Sequence, residues 1–358
     1  MKNLLNGALL ILGVLLLAGC WDSSELSEVG FVTVMSIDVD EEDASLYAVS
    51  LEMPQIKHDN KDPQGAIKSG THRSLNHAIY NIGAKAERDI FLGHMKALIC
   101  GEELLNDSEM FRHALTSLSK DSDVSRMLLV LAADGTGLDI MESDAVDEKL
   151  LGAYITNFFH KRNPATSHRQ TLDSLKRDFS DGKTVIIPRI EENDEGISFT
   201  GAAVMHNYAL AGWLDEKELS ALSWLNSEAK HLNLDVSDDE HNFAIRIDKY
   251  NFHITFYERY RTLYAKIAID LEGELKDLPH QTNAEQVKLE QKTKERIQSD
   301  LEKIVEALYI QMGVDGLNLA RELEKNYPHL YSAHVGGGLN IMDVPIVFDI
   351  NAAIGNAG

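Results

Sequence analysis

The feature that most limits how this chain can fold is a short apolar run that ends at a cysteine. Residues 4–18 are mostly apolar and follow a single positive charge, Lys2. The run is shorter than the roughly 20 apolar residues of a spanning helix, and it has the length of the hydrophobic part of a secretory signal. Only two cysteines occur, Cys20 and Cys100. If Cys20 is modified, no intramolecular disulfide can form, so packed hydrophobic cores must hold the fold.

The residues at the end of this run resemble a processing site. Leu17, Ala18 and Gly19 lead directly into Cys20, and this order resembles a bacterial lipobox. In a lipobox the cysteine sulfur receives a diacylglyceryl group, and cleavage leaves that cysteine first, with N-acylation of the freed amine left open. Two acyl chains such as palmitate, at about 0.8 kcal/mol for each buried methylene, hold a protein where one chain is marginal. We therefore predict a signal peptide over residues 1–19 and a lipid anchor on Cys20; the alternative is a buried cysteine in an uncleaved helix.

The chain is strongly acidic. Its formal net charge is -23 at pH 7, and removing residues 1–19, which hold one positive and no negative side chain, takes it to -24. Such a chain is repelled by phosphates, so counterion release cannot drive binding to nucleic acid. It is also repelled by anionic headgroups, which leaves the acyl anchor to hold it at the bilayer. The acidity otherwise indicates a solvated surface that keeps an extracytoplasmic domain soluble.

Strand and helix patterns alternate irregularly through the first half. Residues 31–38 and 46–53 carry period-2 patterning across an acidic turn and predict a hairpin. Residues 75–86 have helical spacing, with Ser74 placed to cap them, and a short buried strand ends at Cys100. Further helices are predicted over residues 111–118, 146–159 and 170–179, with a strand over residues 127–132 between the first two.

The second half is organised differently. Strand-like runs over residues 197–206 and 209–214 lead into a helix over residues 216–225. Strands over residues 243–247, 251–257 and 263–271 predict an antiparallel meander, followed by the longest helix, about 283–312, a shorter helix over 317–325 and a last strand near 344–350. We predict an elongated α+β protein of two to three domains with mixed or antiparallel sheets packed against helices. The division is expected between an N-terminal part, 20–195, and a C-terminal part, 196–358.

No catalytic motif is present in the sequence. There is no G-x-S-x-G elbow, no H-E-x-x-H pair and no C-x-x-C pair. Gly182-Lys183-Thr184 resembles the end of a P-loop, but that loop needs a glycine where this chain has Arg177. Cys100 is best explained as a small core residue. The acidic residues 38–43 lack the spacing of a calcium loop and predict a solvated turn. We predict no catalytic residue and no cofactor.

Fourteen histidines raise the alternative of a metal site. His72 and His77 lie five apart, which would put them on different faces of one helix, and His329 and His334 flank a loop with no acidic partner nearby in sequence. We therefore predict no metal site. Gly336-Gly337-Gly338 precedes a strand and not a helix, so it lacks the helix dipole of a dinucleotide site and predicts a mobile surface loop.

Several stretches of the mature chain follow one another in an order typical of one family. They are Gly19-Cys20-Trp21-Asp22 with Glu25-Leu26, Gly93-His94-Met95-Lys96, Ser125-Arg126-Met127-Leu128-Leu129-Val130, Phe199-Thr200-Gly201-Ala202-Ala203-Val204-Met205, Ala211-Gly212-Trp213-Leu214 and Glu218-Leu219-Ser220-Ala221-Leu222. This ordered set resembles the Ger(x)C spore germination lipoproteins over nearly the whole mature chain. It departs from them at Ser23-Ser24, where most relatives carry two arginine-like residues, and in the late glycine triplet.

The resemblance implies a C-subunit of a nutrient germinant receptor. Such a subunit is held by its lipid on the outer face of the inner spore membrane, is assembled with A- and B-type membrane subunits and has no known catalytic role. The resemblance also implies three α/β domains, the first completed by strands within residues 201–214. An extracytoplasmic solute-binding lipoprotein is the alternative function, although it usually pairs two parallel-sheet lobes around a cleft. A tethered hydrolase has the least support.

Overall fold

The structure is a computed structural model. It describes residues 29–55, 64–86, 88–143, 150–161, 168–193, 196–225, 233–237, 242–275 and 283–356. The strands are β1 Val29–Phe31, β2 Val34–Val39, β3 Tyr47–Gln55, β4 Gln64–His72, β5 Asp89–Phe91, β6 Ala97–Cys100, β7 Leu129–Ala133, β8 Val185–Asn193, β9 Gly196–Ser198, β10 Ala202–His206, β11 Ala209–Leu214, β12 Asn233–Ser237, β13 Asn242–Arg259, β14 Thr262–Leu275 and β15 Ile346–Asn356. The helices are α1 Leu75–Ala86, α2 Glu102–Asn106, α3 Ser108–Lys120, α4 Gly137–Glu142, α5 Leu151–Lys161, α6 Leu172–Ser180, α7 Glu216–Leu222, α8 Asn283–Val305, α9 Leu319–Asn326 and α10 Pro328–His334.

A nine-stranded mixed sheet organises the first part of the chain. Its order is β11-β10-β8-β7-β6-β2-β3-β4, with β9 paired to β8. The central strands β2, β6, β7 and β8 run parallel, because helices connect β6 to β7 and β7 to β8. Antiparallel strands extend the sheet on both sides of this centre. They are β3 and β4 on one side and β10 and β11 on the other.

Both faces of the central strands are buried, as expected for parallel strands covered by helices. Alternate residues of β6 show this: Leu98 and Cys100 pack against one core, whereas Ala97 and Ile99 pack against another. Apolar residues of α1, α2, α3 and α6 fill the first core, and those of α4 and α5 fill the second. The run that ends at Cys100 is therefore a buried strand, as predicted.

The predicted hairpin over residues 31–53 is confirmed, with Asp38 opposite Ala48. Residues 29–31 form a separate strand, β1, which pairs in parallel with β5. Strand β4 was not predicted because glycines interrupt its pattern. Gly70 in that strand lies where α1 approaches closely, since an added Cβ would come within 2.9 Å of Ile82; only glycine allows this contact.

The large sheet continues past residue 195. Strand β10 pairs with β8, with Ala202 opposite Pro188, and β11 pairs with β10. The residues that begin the C-terminal half of the chain therefore extend the sheet of the N-terminal half. The division of the chain at 195/196 stays a prediction.

A four-stranded sheet in the order β12-β13-β14-β15 forms the last part. Its first three strands form an antiparallel meander, in which β13 and β14 cover the predicted strands and β12 was not predicted, and β15 adds to β14 in parallel. Two of the predicted strands are one long strand, β13, because Asp248 lies at a β-bulge between Ile247 and Lys249 and not in a turn. The predicted long helix is α8, which ends in a π-helical turn, Glu306–Gln311. The protein is an α+β protein, as predicted.

A shared core joins the two sheets. Ile186 and Val204 of the large sheet pack in one cluster with Ile304 of α8 and Leu308 of the π-helical turn that follows it. Polar contacts add to it: the backbone N–H of Thr184 donates to Oδ1 of Asn318 at 2.8 Å. Nearby, a guanidinium nitrogen of Arg321 lies 2.9 Å from a carboxylate oxygen of Asp181.

Candidate functional site

The predicted lipidation residue, Cys20, and its lipobox residues Leu17, Ala18 and Gly19 lie outside the residues that the structure describes. The first described residue, Val29, begins β1 nine positions after Cys20. Nine extended residues span at most about 30 Å, so an acyl group on Cys20 would hold β1 within that distance of a bilayer. The lipidation of Cys20 stays a prediction.

The Gly93-His94-Met95-Lys96 motif lies beside β1. The His94 ring contacts the edge of Phe31, with ring centroids 5.2 Å apart, and also packs near Phe91 at 5.6 Å. Met95 is buried, and the backbone N–H of Lys96 donates to the carbonyl of Thr33 at 2.8 Å. The motif therefore holds β1 and β5 against the start of β6, which is a structural role.

Cys100 is buried in β6, where burial, together with the nearby Asp38 carboxyl, raises the pKa of its thiol. A protonated and inaccessible thiol is a poor nucleophile. The Asp38 carboxyl is itself buried, and burial raises its pKa despite the hydrogen bonds that it accepts. These come from the backbone N–H of Gly137 at 2.7 Å and the hydroxyl of Ser36 at 3.1 Å. In this arrangement the Asp38 carboxyl accepts the first backbone N–H of α4 and is not directed at a ligand.

A second buried carboxylate, Glu52 on β3, does the same for α5. Its Oε1 accepts the backbone N–H of Leu151 at 2.7 Å, and its Oε2 accepts that of Gly152 at 3.2 Å and the hydroxyl of Thr33. Sequence reasoning missed this role. The available signal was an acidic residue inside an otherwise apolar strand, since a buried charge needs such partners.

Two predictions about the histidines were wrong. His72 lies in β4 and not in the helix of His77, so their rings stack with centroids 4.8 Å apart. His329 and His334 do not flank a loop, because both lie in α10, and the Nε2 of His334 lies 2.8 Å from Oε2 of Glu258, which is distant in sequence. Across the described ranges, no group of three or more His, Cys, Asp or Glu residues is arranged to hold a metal ion.

Two glycine-containing motifs form helix ends. Gly182, with φ +70°, follows α6, and the ammonium of Lys183 lies 2.7 Å from a carboxylate oxygen of Asp178 instead of facing an open phosphate loop. The glycine triplet 336–338 forms a hydrogen-bonded turn after α10, in which Gly336 N–H donates to the carbonyl of Tyr331 at 2.9 Å. The triplet thus ends a helix, as glycines often do.

The connection between β13 and β14 is an exposed hairpin tip, which we define as residues 257–264. Its two turn residues, Tyr260 and Arg261, have φ of 52° and 64°, as a two-residue type I′ hairpin requires. Tyr257 and Tyr264 face each other across the strands and stack with ring centroids 5.3 Å apart. Tyr260 is 88% exposed, and the guanidinium of Arg259 lies 5.2 Å from its ring centroid. Sequence reasoning missed this cluster, although Arg259 to Thr262 join two alternating runs.

The hairpin tip is a basic and aromatic patch on an acidic protein. In the part of the chain that the structure describes, no ion pair joins Arg259 or Arg261 to a carboxylate, and the neighbouring Glu258 pairs with His334. Tyrosine and arginine are, with tryptophan, the residue types enriched at the energetic centres of protein interfaces. The tip therefore has the composition of a docking surface.

The described residues also bear on how the chain could meet a membrane. Among them, no helix combines the length and apolar character that a membrane crossing requires.

The family of this chain follows from comparison with known proteins. The family described as "Spore germination protein N-terminal domain" matches residues 22–192, and "Spore germination B3/ GerAC like, C-terminal" matches residues 200–358. Spore germination protein YndF of Bacillus subtilis (strain 168) is 21% identical, over 87% of this chain and 86% of YndF. Spore germination protein A3 of the same organism is 19% identical, over 74% of this chain and 71% of its own length.

A solved structure shares the fold. The crystal structure of the GerBC protein superposes with a TM-score of 0.62 at 16% identity, covering 89% of this chain and 96% of GerBC. At that identity the likeness establishes the fold, while the two family matches together span nearly all of residues 22–358. The chain therefore belongs to the Ger(x)C family of spore germination proteins.

Proposed function

We propose that this chain is a lipid-anchored, non-catalytic subunit of a nutrient germinant receptor, located on the outer face of the inner spore membrane. It acts by contacts with the A- and B-type membrane subunits. The observation that carries the proposal is the hairpin tip, an exposed tyrosine and arginine cluster on a member of this family. The buried carboxylates Asp38 and Glu52, by contrast, bind helix N-termini within the protein.

The lipid anchor and the tip act together in this proposal. An acyl group on Cys20 confines the folded part to a thin layer beside its membrane partners. Confinement raises the effective concentration of the tip, so a weak intrinsic contact is sufficient for assembly. The guanidinium groups of Arg259 and Arg261 favour acidic surfaces on those partners, and the rings of Tyr257, Tyr260 and Tyr264 supply rigid contact area.

The experiment is a Cys20→Ala substitution in the native spore former, with Ser23→Ala as the matched control close to the processing site. We expect Cys20→Ala to abolish incorporation of an alkyne-labelled fatty acid and to impair the response to nutrients, while Ser23→Ala changes neither. A Cys20→Ala protein that stays with the membrane and supports a normal response would refute the proposal.

A further inference from the structure

Strand β15 is an edge strand of the last sheet. Its pairing with β14 determines which of its backbone N–H and C=O groups point away from the sheet. The N–H of Ala265 donates to the carbonyl of Pro345 at 3.0 Å, and Ala265 is opposite Ile346. In a parallel ladder this places the N–H and C=O of Val347 toward β14. The backbone groups of the alternate residues, Ile346, Phe348, Ile350, Ala352 and Ile354, therefore point away from the sheet.

One end of this outer edge is closed by α8. The Nε2 of Gln286 donates to the carbonyl of Ile354 at 2.7 Å, and the N–H of Ile354 donates to Oε1 of Glu290 at 3.1 Å. Within the described part of the chain, no corresponding bond reaches the outward groups of Phe348 or Ile350. Natural proteins usually block such edges, because open strands pair with other chains. The edge of β15 is thus blocked at one end and open at the other.

An apolar groove lies beside the open end. Its volume is about 560 Å³, and it lies between the end of α8 and the start of β15. Val305, Met342 and Phe348 contribute to its lining, and Ile310, in the π-helical turn after α8, is 76% exposed at its margin. We call this feature, with the open part of β15, the edge groove.

The rim of the edge groove is acidic. Glu302 and Glu306 both line it and are exposed. Glu302 accepts a hydrogen bond from Gln298 at 2.8 Å, and among the described residues neither carboxylate forms an ion pair with a lysine or arginine. Two copies of this chain that paired through β15 would bring two such rims together at a cost in like-charge repulsion. The rim instead complements a basic segment.

We propose that the edge groove binds an extended segment of a receptor partner whose side chains on one face are apolar at one end and basic at the other. The segment adds a strand to β15 through the outward groups of Phe348 and Ile350. Its apolar side chains enter the groove beside Ile310, and its basic side chains meet Glu302 and Glu306. Strand addition of this kind draws affinity from backbone bonds and specificity from alternate side chains. The inference deepens the proposed function and rests on it, since it names the kind of partner segment.

The test uses the purified full chain in detergent micelles and a synthetic alternating peptide, in which threonine at every second position alternates with isoleucine in one half and with lysine in the other. A peptide of equal charge with proline at each apolar position is the matched probe, because it cannot donate along a strand edge. Hydrogen–deuterium exchange is measured over residues 346–352 with and without each peptide. We expect exchange there to slow with the alternating peptide and not with the proline peptide.

Variants separate the groove from general electrostatic attraction. Glu306→Lys should weaken binding of the alternating peptide by about tenfold, whereas Glu324→Lys, which changes the same charge on α9, should not. Ile310→Ser should also weaken it, whereas Val287→Ser, at a residue 64% exposed on α8, should leave it unchanged.

The inference would be overturned if exchange over residues 346–352 were unchanged by the alternating peptide, or if both peptides slowed it equally. It would also be overturned if exchange slowed with rising protein concentration in the absence of peptide, because that result would indicate binding of a second copy. None of these outcomes depends on Cys20 or on the hairpin tip. Failure of this inference would therefore leave the proposed function standing. Failure of the proposed function would instead appear as a normal membrane location and a normal nutrient response in the Cys20→Ala spores.

Discussion

The Nε2 of His334 lies 2.8 Å from Oε2 of Glu258, which joins the last residue of α10 to the β13 side of the hairpin tip. Phe256, two residues earlier in β13, is buried and packs edge-on against Tyr327, with ring centroids 5.5 Å apart. The base of the tip is therefore held by a polar contact and an aromatic contact from the same region, while Tyr260 stays exposed.

The first prediction concerns the tip itself. Tyr260→Ala and the double substitution Arg259→Ala with Arg261→Ala remove exposed side chains, so the free energy of unfolding should change by less than about 0.5 kcal/mol. Co-purification of the membrane subunits from detergent extracts should nevertheless fall. Tyr80→Ala is the control, because Tyr80 is another tyrosine that is 71% exposed, on α1. Equal recovery of the membrane subunits with all these variants would show that the tip is not a contact surface.

The second prediction concerns Glu52. Glu52→Ala leaves the N–H groups of Leu151 and Gly152 buried without their acceptor, so we expect a loss of about 3 kcal/mol in the free energy of unfolding. Urea unfolding measures it. Glu41→Ala, in the exposed turn between β2 and β3, serves as the comparison and should cost little. Similar midpoints for the two variants would mean that Glu52 does not stabilise α5.

The third prediction concerns pH and Asp38. Burial raises the pKa of its carboxyl above the ordinary 3.8, so the folded state holds this proton more tightly than the unfolded chain. Its contribution to stability is therefore complete below about pH 3.8 and is lost as the pH rises through the raised pKa of the folded state. Asp38→Asn keeps an acceptor for Gly137 but does not ionise.

Stability of Asp38→Asn relative to the unsubstituted chain should accordingly increase between about pH 4 and about pH 7. Denaturant unfolding across that range provides the measurement. Glu41→Gln removes one negative charge from an exposed turn and is the charge-matched control. A constant difference between Asp38→Asn and the unsubstituted chain at every pH would contradict the assigned effect of burial.

The fourth prediction concerns the contact between the two parts of the chain at Asn318. Asn318 has φ +56°, and its side chain accepts the N–H of Thr184 at 2.8 Å. Asn318→Gly keeps this backbone conformation and loses about 1 kcal/mol with the hydrogen bond. Asn318→Ala should lose more, because a Cβ disfavours the left-handed region. Thermal unfolding of both variants tests whether Asn318→Gly is the more stable of the two. An Asn318→Ala variant that was at least as stable would show that the backbone conformation at this position is unimportant.

Much of the fold followed from local patterns. Strands β2 and β3 were predicted because their alternation spans an acidic turn, and α8 was predicted because Ile297, Leu301 and Ile304 recur on one stripe. Strand β4 was missed because Gly65 and Gly70 break its pattern. The single long strand β13 was divided in two because the polar residues around its bulge resemble a turn.

The candidate surfaces depended on contacts that sequence patterns do not report. A lipobox is a contiguous motif, so it was predicted from residues 17–20 alone. The stacking of Tyr257 on Tyr264 depends on the register of β13 and β14, and the partner of Glu258 is 76 residues away in sequence. The edge groove likewise required knowing which edge of the last sheet α8 covers.

The most direct measurement of the central claim is mass spectrometry of the N-terminal fragment from the protein purified out of spore membranes. We predict a fragment that begins at Cys20 and carries the added mass of a diacylglyceryl group. A fragment in which residues 17–20 are still joined to the leader, or one that begins at an unmodified Cys20, would contradict the account of a lipid-anchored receptor subunit.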